Sequence, residues 1–595
     1  MAGRTPEADP EFERAWARAV EPSRGAAAGV ALVVFLLLVS NGRPIPSGDT
    51  RVNDHVAASL ATERDFDLDE YPEIEPPWVK PAADGRHVSI YPALSPLLAA
   101  PLFAAARLVA PLDETGAAYA GKAAASLFSA LAAGVLFVAV ARRRGESDGV
   151  FTAAVFALGT SVWSTSQALW QHPAAVLGIS VALLFLARAE DDAAWAGRAG
   201  LPLGLAFAAR HADIALVAVL AVAAAARWPR KAPWLVLWSL PPLAFVGLYN
   251  LLTFGAPWRQ GFGDATTRFD APWGVGHLGL LVSPAKGLLV FTPVVIAGLV
   301  GIARAWRRDR FLPAVAAGAA LAHWALMGRW GEWHGGESWG PRMMTDALPA
   351  LLLFLPEGVD VVRIAGVLLA AVSIGVQALG AFSYDLRWER LVQRPAKSAD
   401  VLWRLHDSPI PFHVRERVAI FAAPGLADGK VIVRRHPEVV GGPTGTRVRF
   451  GGGGPIVEGT PPTFGDAHLQ YAAQVEGDAA VLRGHWSGVF LRVRPEMRLV
   501  PLVLTVEGRG HGTLYVGERS FWSASTRWAT HKVAGPFQIR HRYFYPESGG
   551  GDIVVTVGRA PGEATVRAIT LSSAAGGSLG ARGGEGSPAG GPSPP

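Results

Sequence analysis

The feature that most constrains this chain is a succession of apolar runs, each near the length of a membrane-spanning helix. About twenty apolar helical residues cover the roughly 30 Å of hydrocarbon in a bilayer. The runs lie at 26–40, 121–141, 149–166, 172–188, 199–209, 212–226, 233–252, 287–303, 311–327, 345–356 and 362–382. Segments of very different length separate them, and this pattern predicts a polytopic α-helical membrane protein.

Composition supports a membrane location and excludes other classes. Half of the residues are hydrophobic (50%) and only 17% are charged, whereas soluble domains carry about 25% charge. So apolar a chain is not disordered throughout. The sequence has no cysteine, which excludes disulfides, thiolate metal sites and thiol nucleophiles.

Basic residues predict the orientation. The clusters are 142–144, 188–198, 227–231 and 304–310. All four lie on one side if the Pro-broken stretch 92–109 stays at the interface and 199–226 forms a hairpin. The positive-inside rule makes that side cytoplasmic. About eleven spans follow by length, with ten and twelve left open. The net charge of +6 is then explained by the basic residues on the cytoplasmic side, and no nucleic-acid partner is expected.

The chain divides into four expected regions. A cytoplasmic segment, 1–24, precedes a transmembrane domain, 25–385, whose first outer loop is 41–120 and carries interfacial helices. The first span is expected to stay uncleaved because no small-residue cleavage site follows it. Short β-rich runs between Gly and Pro turns predict an extracytoplasmic β-sandwich-like domain at 386–572. The Gly/Ser/Pro-rich tail, 573–595, is expected to be disordered.

The first outer loop combines acids and bases directly after the first span. It contains Asp49, Arg51 and Asp54, and a carboxylate here can act as general base towards an acceptor hydroxyl. The alternative is that Asp49 caps a helix beginning at Val52. Further on, Tyr91 precedes three prolines that favour a pair of interfacial helices, with Tyr91 at headgroup level.

The densest polar cluster lies at 329–342. Its candidate binding residues are Glu332, His334, Glu337, Trp339 and Arg342. Tryptophan stacks on sugar rings, Glu accepts hydrogen bonds from hydroxyls, and Arg binds phosphate in a bidentate manner. The alternatives are an interfacial Trp belt and a metal site at Glu332, His334 and Glu337. No pattern fixes a metal geometry, so no metal ligand is assigned, no cofactor is certain, and a divalent metal stays an option.

Two further motifs place a titratable residue beside an apolar run. Lys286 precedes the run at 287–303 and either extends to the interface or binds a lipid phosphate. His172, in Trp170-Gln171-His172-Pro173, is either an interfacial histidine or a ligand.

In their order along the chain, these motifs resemble the GT-C superfamily of polytopic glycosyltransferases. The resemblance is to the branch of dolichyl-phosphate-mannose:protein mannosyltransferases and ArnT, in bacterial members that use polyprenyl-phosphate sugars. It covers about 25–385. The motifs are Gly48-Asp49-Thr50-Arg51, Asp84-Gly85-Arg86, Tyr91-Pro92, Trp170-Gln171-His172-Pro173, Tyr249-Asn250, Phe254-Gly255, Ser283-Pro284-Ala285-Lys286-Gly287-Leu288 and Gly335-Gly336-Glu337-Ser338-Trp339-Gly340-Pro341-Arg342.

The resemblance implies a glycosyltransferase of the inner (plasma) membrane with Asp49 as catalytic base. Asp54 stays the alternative base. Lys286 and Arg342 would stabilise the phosphate, and one displacement would invert the anomeric centre. The implied partners are a polyprenyl-phosphate sugar donor, membrane lipid, and a glycan, lipid or protein acceptor. The other binding candidates are Arg51, Asp54, Tyr91, His172, Glu332, His334, Glu337 and Trp339.

Two functions of other classes remain. A transporter or flippase of lipid-linked glycans would have ionisable residues buried within its spans. A non-catalytic scaffold would present the C-terminal domain. The loop before Tyr91 lacks the family's usual acceptor-binding signature, and the β-rich domain differs from MIR-type insertions, so the sugar and the acceptor stay open.

Overall fold

The structure is a computed structural model. It describes residues 22 and 24–384, except 72–73, 75–76 and 264–267, then 386, 388–389, 393 and 399–414. From 431 to 573 it describes the strands given below, with 473 and 477–478. The predicted tail therefore lies outside the described residues apart from its first residue, as does nearly all of the predicted N-terminal segment.

The chain folds as two units, Met1–His413 and Val414–Pro595. The division lies later than the predicted boundary at 385. The reason is that residues beyond 385 belong to the helical unit, where Trp388, Leu402 and Phe412 are buried.

Helices make up most of the first unit. They are α1 (Arg24–Val39), α2 (Gly48–Thr62), α3 (Leu94–Ala106), α4 (Glu114–Arg144), α5 (Glu146–Leu158), α6 (Ser161–Thr165), α7 (His172–Ala189), α8 (Ala194–Arg198), α9 (Gly200–Ala209), α10 (Ile214–Arg227), α11 (Ala232–Phe254), α12 (Val275–Val282), α13 (Leu288–Phe291), α14 (Val295–Ala305), α15 (Phe311–Met327), α16 (Leu348–Leu352), α17 (Leu355–Val362) and α18 (Ile364–Ser383). A short antiparallel pair, β1 (Val79–Pro81) and β2 (His87–Ser89), lies between α2 and α3.

Four described helices are long and apolar enough to cross a membrane by length and composition. They are Glu114–Arg144, His172–Ala189, Pro229–Phe254 and Ile364–Ser383. Four shorter apolar helices, α1, α3, α14 and α15, accompany them. A mostly helical fold with several apolar helices is therefore confirmed, whereas the count of eleven spans stays a prediction.

Several predicted runs are interrupted for visible reasons. The run at 287–303 is divided at Thr292 and Pro293, between α13 and α14. The run from 199 to 226 breaks at a 3₁₀ turn, His211–Asp213, where Arg210 and Asp213 pair. The stretch 92–109 contains one helix, α3, rather than the predicted pair, because Pro101 is accommodated inside it.

The helices differ in their surroundings. The long helix α4 packs against α1, α5 and α7, and its Ala- and Gly-rich faces are buried, as close packing of membrane helices requires. By contrast, α11 exposes large apolar side chains, including Trp234, Leu237 and Leu252. In a bilayer this surface would contact lipid.

The second unit contains strands. They are β3 (Val431–Ile432), β4 (Gly445–Gly451), β5 (Gly454–Glu458), β6 (Phe464–Gln470), β7 (Gln474–Glu476), β8 (Ala479–Arg483), β9 (Gly488–Val493), β10 (Leu502–Arg519), β11 (Trp528–Tyr543), β12 (Asp552–Val557) and β13 (Glu563–Ser573). Seven form an antiparallel path, β5-β4-β13-β10-β12-β9-β6, and β11 and β8 pair with β10 and β13. Alternating residues such as Leu504 and Val506 form the core. A sandwich arrangement stays a prediction.

Candidate functional site

The first acidic residue of the outer loop lies at the start of a helix but does not cap it. Helix α2 begins at Gly48, and Ser47 in extended conformation is its N-cap. The Ser47 N–H donates to the Thr50 hydroxyl at 2.9 Å. The alternative that Asp49 caps a helix beginning at Val52 is therefore wrong, because the helix starts earlier and leaves the Asp49 carboxylate available for other contacts.

Asp49 pairs with Arg342, which comes from the far end of the helical unit. Arg342 Nη1 donates to Asp49 Oδ2 at 2.8 Å. The side chains of Arg342 and Asp49 are 11% and 32% exposed, so the carboxylate is reachable from outside while the guanidinium is mostly enclosed. The guanidinium lies 4.1 Å from the ring centroid of Trp170, a favourable cation–π geometry. Among described residues, the buried Arg342 Nε has no hydrogen-bond partner.

Tyr91 completes this group, which we call the Asp49–Arg342 site (Asp49, Tyr91, Trp170 and Arg342). Burial raises the pKa of Tyr91, and the Asp49 carboxylate, to which its hydroxyl hydrogen-bonds, raises it further. Tyr91 is buried, so the predicted position at headgroup level does not describe it. Glu332 is exposed, and its negative charge also raises the pKa of Tyr91.

Asp54 and Arg51 lie on other faces of α2. Asp54 is 2% exposed and packs against Gly121 of α4, where a Cβ would lie 1.8 Å from Asp54 Oδ1. Burial raises the pKa of Asp54 well above its usual range. Arg51 pairs with Glu114 at 3.0 Å. The structure therefore does not bring either residue into the Asp49–Arg342 site.

The Trp-rich loop turns back on itself at two glycines. Gly335 and Gly336 have φ of +75° and +59°, a region that favours glycine. The Gly336 N–H donates to His334 Nδ1 at 3.1 Å. Burial, with the positive charges of Lys286 and Arg342, lowers the pKa of His334 to about 4. His334 is therefore neutral at physiological pH.

Lys286 and Trp339 support this loop from within. Lys286 Nζ donates to the Gly336 carbonyl at 3.0 Å and to Glu389 Oε1 at 3.1 Å, and it is 0% exposed. The expectation that it reaches the membrane interface is wrong, because the loop folds over it. Trp339 is 1% exposed and packs edge-on against Phe291. It is part of the core rather than a free face for a sugar.

Glu337 lines a small cleft beside the Asp49–Arg342 site. The cleft also contains Ser164, Trp170 and Tyr384. Trp170 is thus shared by the cleft and the site. A ligand in the cleft would pack against the same indole that contacts Arg342.

His172 belongs to a second group, which we call the buried cluster (His172, Arg210, Asp213, His323 and Asp346). His172 Nδ1 lies 2.8 Å from Asp346 Oδ2, and Arg210 Nη1 lies 2.6 Å from Asp213 Oδ1 and 3.2 Å from Asp346 Oδ2. The six-residue 3₁₀ helix Arg342–Ala347 carries both Arg342 and Asp346 and so joins the two groups.

Sequence reasoning did not assign four members of the buried cluster to a site. Arg210 and Asp213 had a signal, because they interrupt an apolar run three residues apart. His323 had a weaker one, as the single ionisable residue within the run at 311–327. Nothing in the sequence indicates that these residues meet Asp346.

The metal option raised from the sequence finds no support in the loop. Glu332, His334 and Glu337 are not among the described groups whose ligand atoms converge within 4.8 Å. Two such groups exist in the described chain, one at which only Glu70 is exposed (Asp65, Asp67 and Glu70) and one fully buried (Asp213, His323 and Asp346).

A groove opens beside α11. It has a volume of about 350 Å³ and is lined by Arg64, Asp67, Phe245 and Tyr249 among others. Phe245 and Tyr249 also line a smaller pocket that contains Tyr91. The two cavities share a wall, and the smaller one ends at a residue of the Asp49–Arg342 site.

The fold and the site combine long apolar helices with a carboxylate–guanidinium pair among aromatic residues. The chain is similar to solved structures of ArnT from Cupriavidus metallidurans bound to undecaprenyl phosphate (17% identity, TM-score 0.39, covering 67% of this chain and 69% of that chain). It is also similar to the Archaeoglobus fulgidus oligosaccharyltransferase in complex with Zn and sulfate (14%, 0.36, 64% and 57%). A third is the arabinofuranosyltransferase AftD from Mycobacteria (12%, 0.38, 93% and 59%).

All three are GT-C glycosyltransferases, the superfamily that the sequence motifs resemble. This chain spans less than two thirds of the oligosaccharyltransferase and AftD chains. No protein-family model matches the chain, and no curated protein matches it significantly.

Proposed function

We propose that the protein is an integral-membrane glycosyltransferase that moves a sugar from a polyprenyl-phosphate donor to an acceptor hydroxyl, with inversion. The observation that carries the proposal is the 2.8 Å pair of Asp49 and Arg342 between loops that are far apart in sequence. The proposed location is the plasma membrane, with the N-terminus in the cytoplasm and the site outside it.

Asp49 is the proposed general base. Its carboxylate is partly exposed and oriented by the Tyr91 hydroxyl, so it can accept a proton from an entering hydroxyl. Asp54 is a poor base, because it is buried against α4, where an entering hydroxyl does not reach it. The two residues are five positions apart on α2, which puts them on different faces of the helix.

Arg342 is the proposed phosphate-binding residue. Its Nη1 holds Asp49, and its remaining N–H groups can bind phosphate oxygens. The acceptor oxygen attacks the anomeric carbon while Asp49 takes its proton. The bond from the anomeric carbon to the phosphate oxygen breaks, and polyprenyl phosphate leaves with its negative charge stabilised by Arg342. Lys286 has a supporting role in this proposal, because it holds the loop that precedes Arg342.

The groove beside α11 is the proposed route for the donor lipid. Its apolar side, including Phe245, Leu248, Tyr249 and Leu252, continues the lipid-facing surface of α11. Because it shares Phe245 and Tyr249 with the pocket at Tyr91, a prenyl chain lying in the groove would direct its phosphate towards the site. Arg64 at the groove can attract that phosphate on the way.

The proposal is tested with purified full-length protein in detergent and a panel of synthetic polyprenyl-phosphate sugars. The measurement is release of polyprenyl phosphate, and mass spectrometry of envelope glycans from cells with and without the gene identifies the acceptor. We expect turnover with one donor, loss of one glycan in cells, and little release with a lipid-diphosphate sugar. Absence of release from every donor, with no glycan change in cells, would refute the proposal.

A second candidate function, transport of lipid-linked glycans, is favoured by the buried cluster. Ionisable residues enclosed between apolar helices are a property of transporters, and Arg210, Asp213 and Asp346 are all buried. Reconstitution in sealed vesicles separates the two functions. Movement of a fluorescent lipid-linked sugar across the bilayer without formation of a glycosidic bond would support transport.

A further inference from the structure

The buried cluster contains three side chains of metal-ligating types that lie close together. Asp213, His323 and Asp346 are each 0% exposed. They come from three separate places, the turn before α10, helix α15 and the 3₁₀ helix Arg342–Ala347. One ligand atom of each lies within 4.8 Å of the other two.

Hydrogen bonding fixes the state of His323. Its Nε2 lies 2.8 Å from the Met343 carbonyl oxygen. A carbonyl only accepts, so Nε2 carries the proton and donates it. In the neutral ring, Nδ1 then carries a lone pair, and it lies 3.7 Å from Asp213 Oδ1. Among the described residues, this buried nitrogen has no hydrogen-bond partner.

In each of the two carboxylates, one oxygen accepts hydrogen bonds from described residues and the other does not. Arg210 Nη1 binds Asp213 Oδ1 and Asp346 Oδ2, and His172 Nδ1 donates to the same Asp346 oxygen. The other oxygens, Asp213 Oδ2 and Asp346 Oδ1, are buried and without a hydrogen-bond partner in the described chain. Each of the three side chains therefore has one buried lone-pair atom that no donor among the described residues reaches.

Charge makes this arrangement costly without a further cation. Two buried carboxylates face one guanidinium, which leaves one negative charge uncompensated if both acids are ionised and His172 and His323 are neutral. Buried unpaired charge is strongly unfavourable. Either a bound cation or an additional proton removes it, and a lone pair on His323 Nδ1 directed at carboxylates favours the cation.

We propose that Asp213, His323 and Asp346 bind one divalent transition-metal ion, of the Zn²⁺ or Mn²⁺ kind. Two carboxylates and one imidazole are ligands that these ions accept. Tetrahedral zinc places its ligand atoms about 3.3 Å apart. The atoms of the trio lie within 4.8 Å of one another, so a contraction of at most about 1.5 Å forms the site. Its outer contacts already exist, since ligating histidines usually donate their other N–H to a carbonyl, and ligating carboxylates are themselves hydrogen-bonded.

The ion would join α10 and α15 to the 3₁₀ helix that carries Arg342. Its role is to position that helix, and the proposal does not depend on the transfer reaction. Among the described residues, none donates a hydrogen bond to Asp213 Oδ2, Asp346 Oδ1 or His323 Nδ1. Arg210 binds the other oxygen of each carboxylate and keeps the total charge low.

The test uses the full-length protein in detergent, stripped with EDTA and then exposed separately to Zn²⁺ and to Mn²⁺. Bound metal is measured by elemental mass spectrometry after desalting, and stability is followed by thermal unfolding. We expect about one ion per chain and a higher Tm with that ion. His323→Ala, Asp213→Asn and Asp346→Asn should each weaken binding by at least about 10-fold.

His277→Ala is the matched control. His277 is also buried and bonds a backbone carbonyl, that of Ala325, at 3.1 Å, but it is not in the trio. This variant should bind the ion as the parent protein does. Gel filtration and circular dichroism identify any variant that fails to fold, and the remaining trio variants then decide.

Three results would overturn the proposal. They are the absence of bound metal from the folded parent protein, equal binding by the trio variants, and loss of binding in His277→Ala alone. If a proton occupies the cluster instead, Asp213→Asn will raise the Tm and neither metal will change it.

Discussion

Replacing Asp49 by asparagine removes the proposed base while leaving its neighbours in place. The amide oxygen of the new side chain can still accept from Arg342 and Tyr91, so donor binding and the KM for the donor should change little. Proton acceptance is lost, and general base catalysis contributes about 10² to 10⁴ in rate. That range corresponds to about 3 to 5.5 kcal/mol of transition-state stabilisation. We expect kcat to fall by at least about 10²-fold.

Asp54→Asn is the control within the same helix. Asp54 is buried against α4, away from the Asp49–Arg342 site, and burial raises its pKa, so an amide of nearly the same shape should change kcat by less than about 3-fold. The assay is release of polyprenyl phosphate at saturating donor, with both variants checked by gel filtration. A kcat for Asp49→Asn within about 3-fold of the parent value would refute the assignment. Loss of activity only in Asp54→Asn would exchange the two roles.

Three further predictions concern the neighbours of the site. Tyr91→Phe removes the hydrogen bond to Asp49 and should lower kcat about 10-fold, since bonds to charged groups contribute about 1.5 to 3 kcal/mol; an unchanged kcat would show that Tyr91 only packs. Lys286→Met leaves Glu389 as an unpaired buried charge and should destabilise the fold by about 3 to 5 kcal/mol, measured by denaturation in detergent, and adding Glu389→Gln should recover most of the loss. The pKa of His334 is lowered to about 4. As the pH falls, the unfolded chain therefore protonates this histidine before the folded protein does. Stability is lost between about pH 6.5 and about 4. In His334→Gln, Tm should therefore depend less on pH over that interval than in the parent protein. An equal slope of Tm against pH in the two proteins would contradict the lowered pKa.

Local patterns predicted the elements better than their contacts. Helices α4, α7 and α18 lie where continuous apolar runs predict them, because a long run with Pro or charge only near its ends leaves the backbone one way to satisfy its hydrogen bonds in lipid. Interrupted runs were harder. Pro101 is tolerated in α3, whereas the charges at Arg210 and Asp213 end α9 and turn the chain.

The candidate site was only partly predictable. Asp49 and Arg342 were singled out for their chemistry, but their pairing joins residues separated by most of the helical unit, and one sequence carries no information on such contacts. Lys286 and Trp339 were expected at a surface because charged and aromatic residues are usual there. The loop that folds over them depends on positive φ at Gly335 and Gly336 and on Glu389, which lies far along the chain.

The short helix Arg342–Ala347 has a consequence for handling the protein. Four steps at about 2 Å of rise each separate Arg342, which holds Asp49, from Asp346, which is locked in the interior. A small displacement at the inner end therefore reaches the guanidinium almost undiminished. Delipidation or gentle warming that loosens the packing of α10 against α15 would abolish the proposed transfer activity before the helices unfold. Circular dichroism alone would then overstate how much of a purified sample is competent.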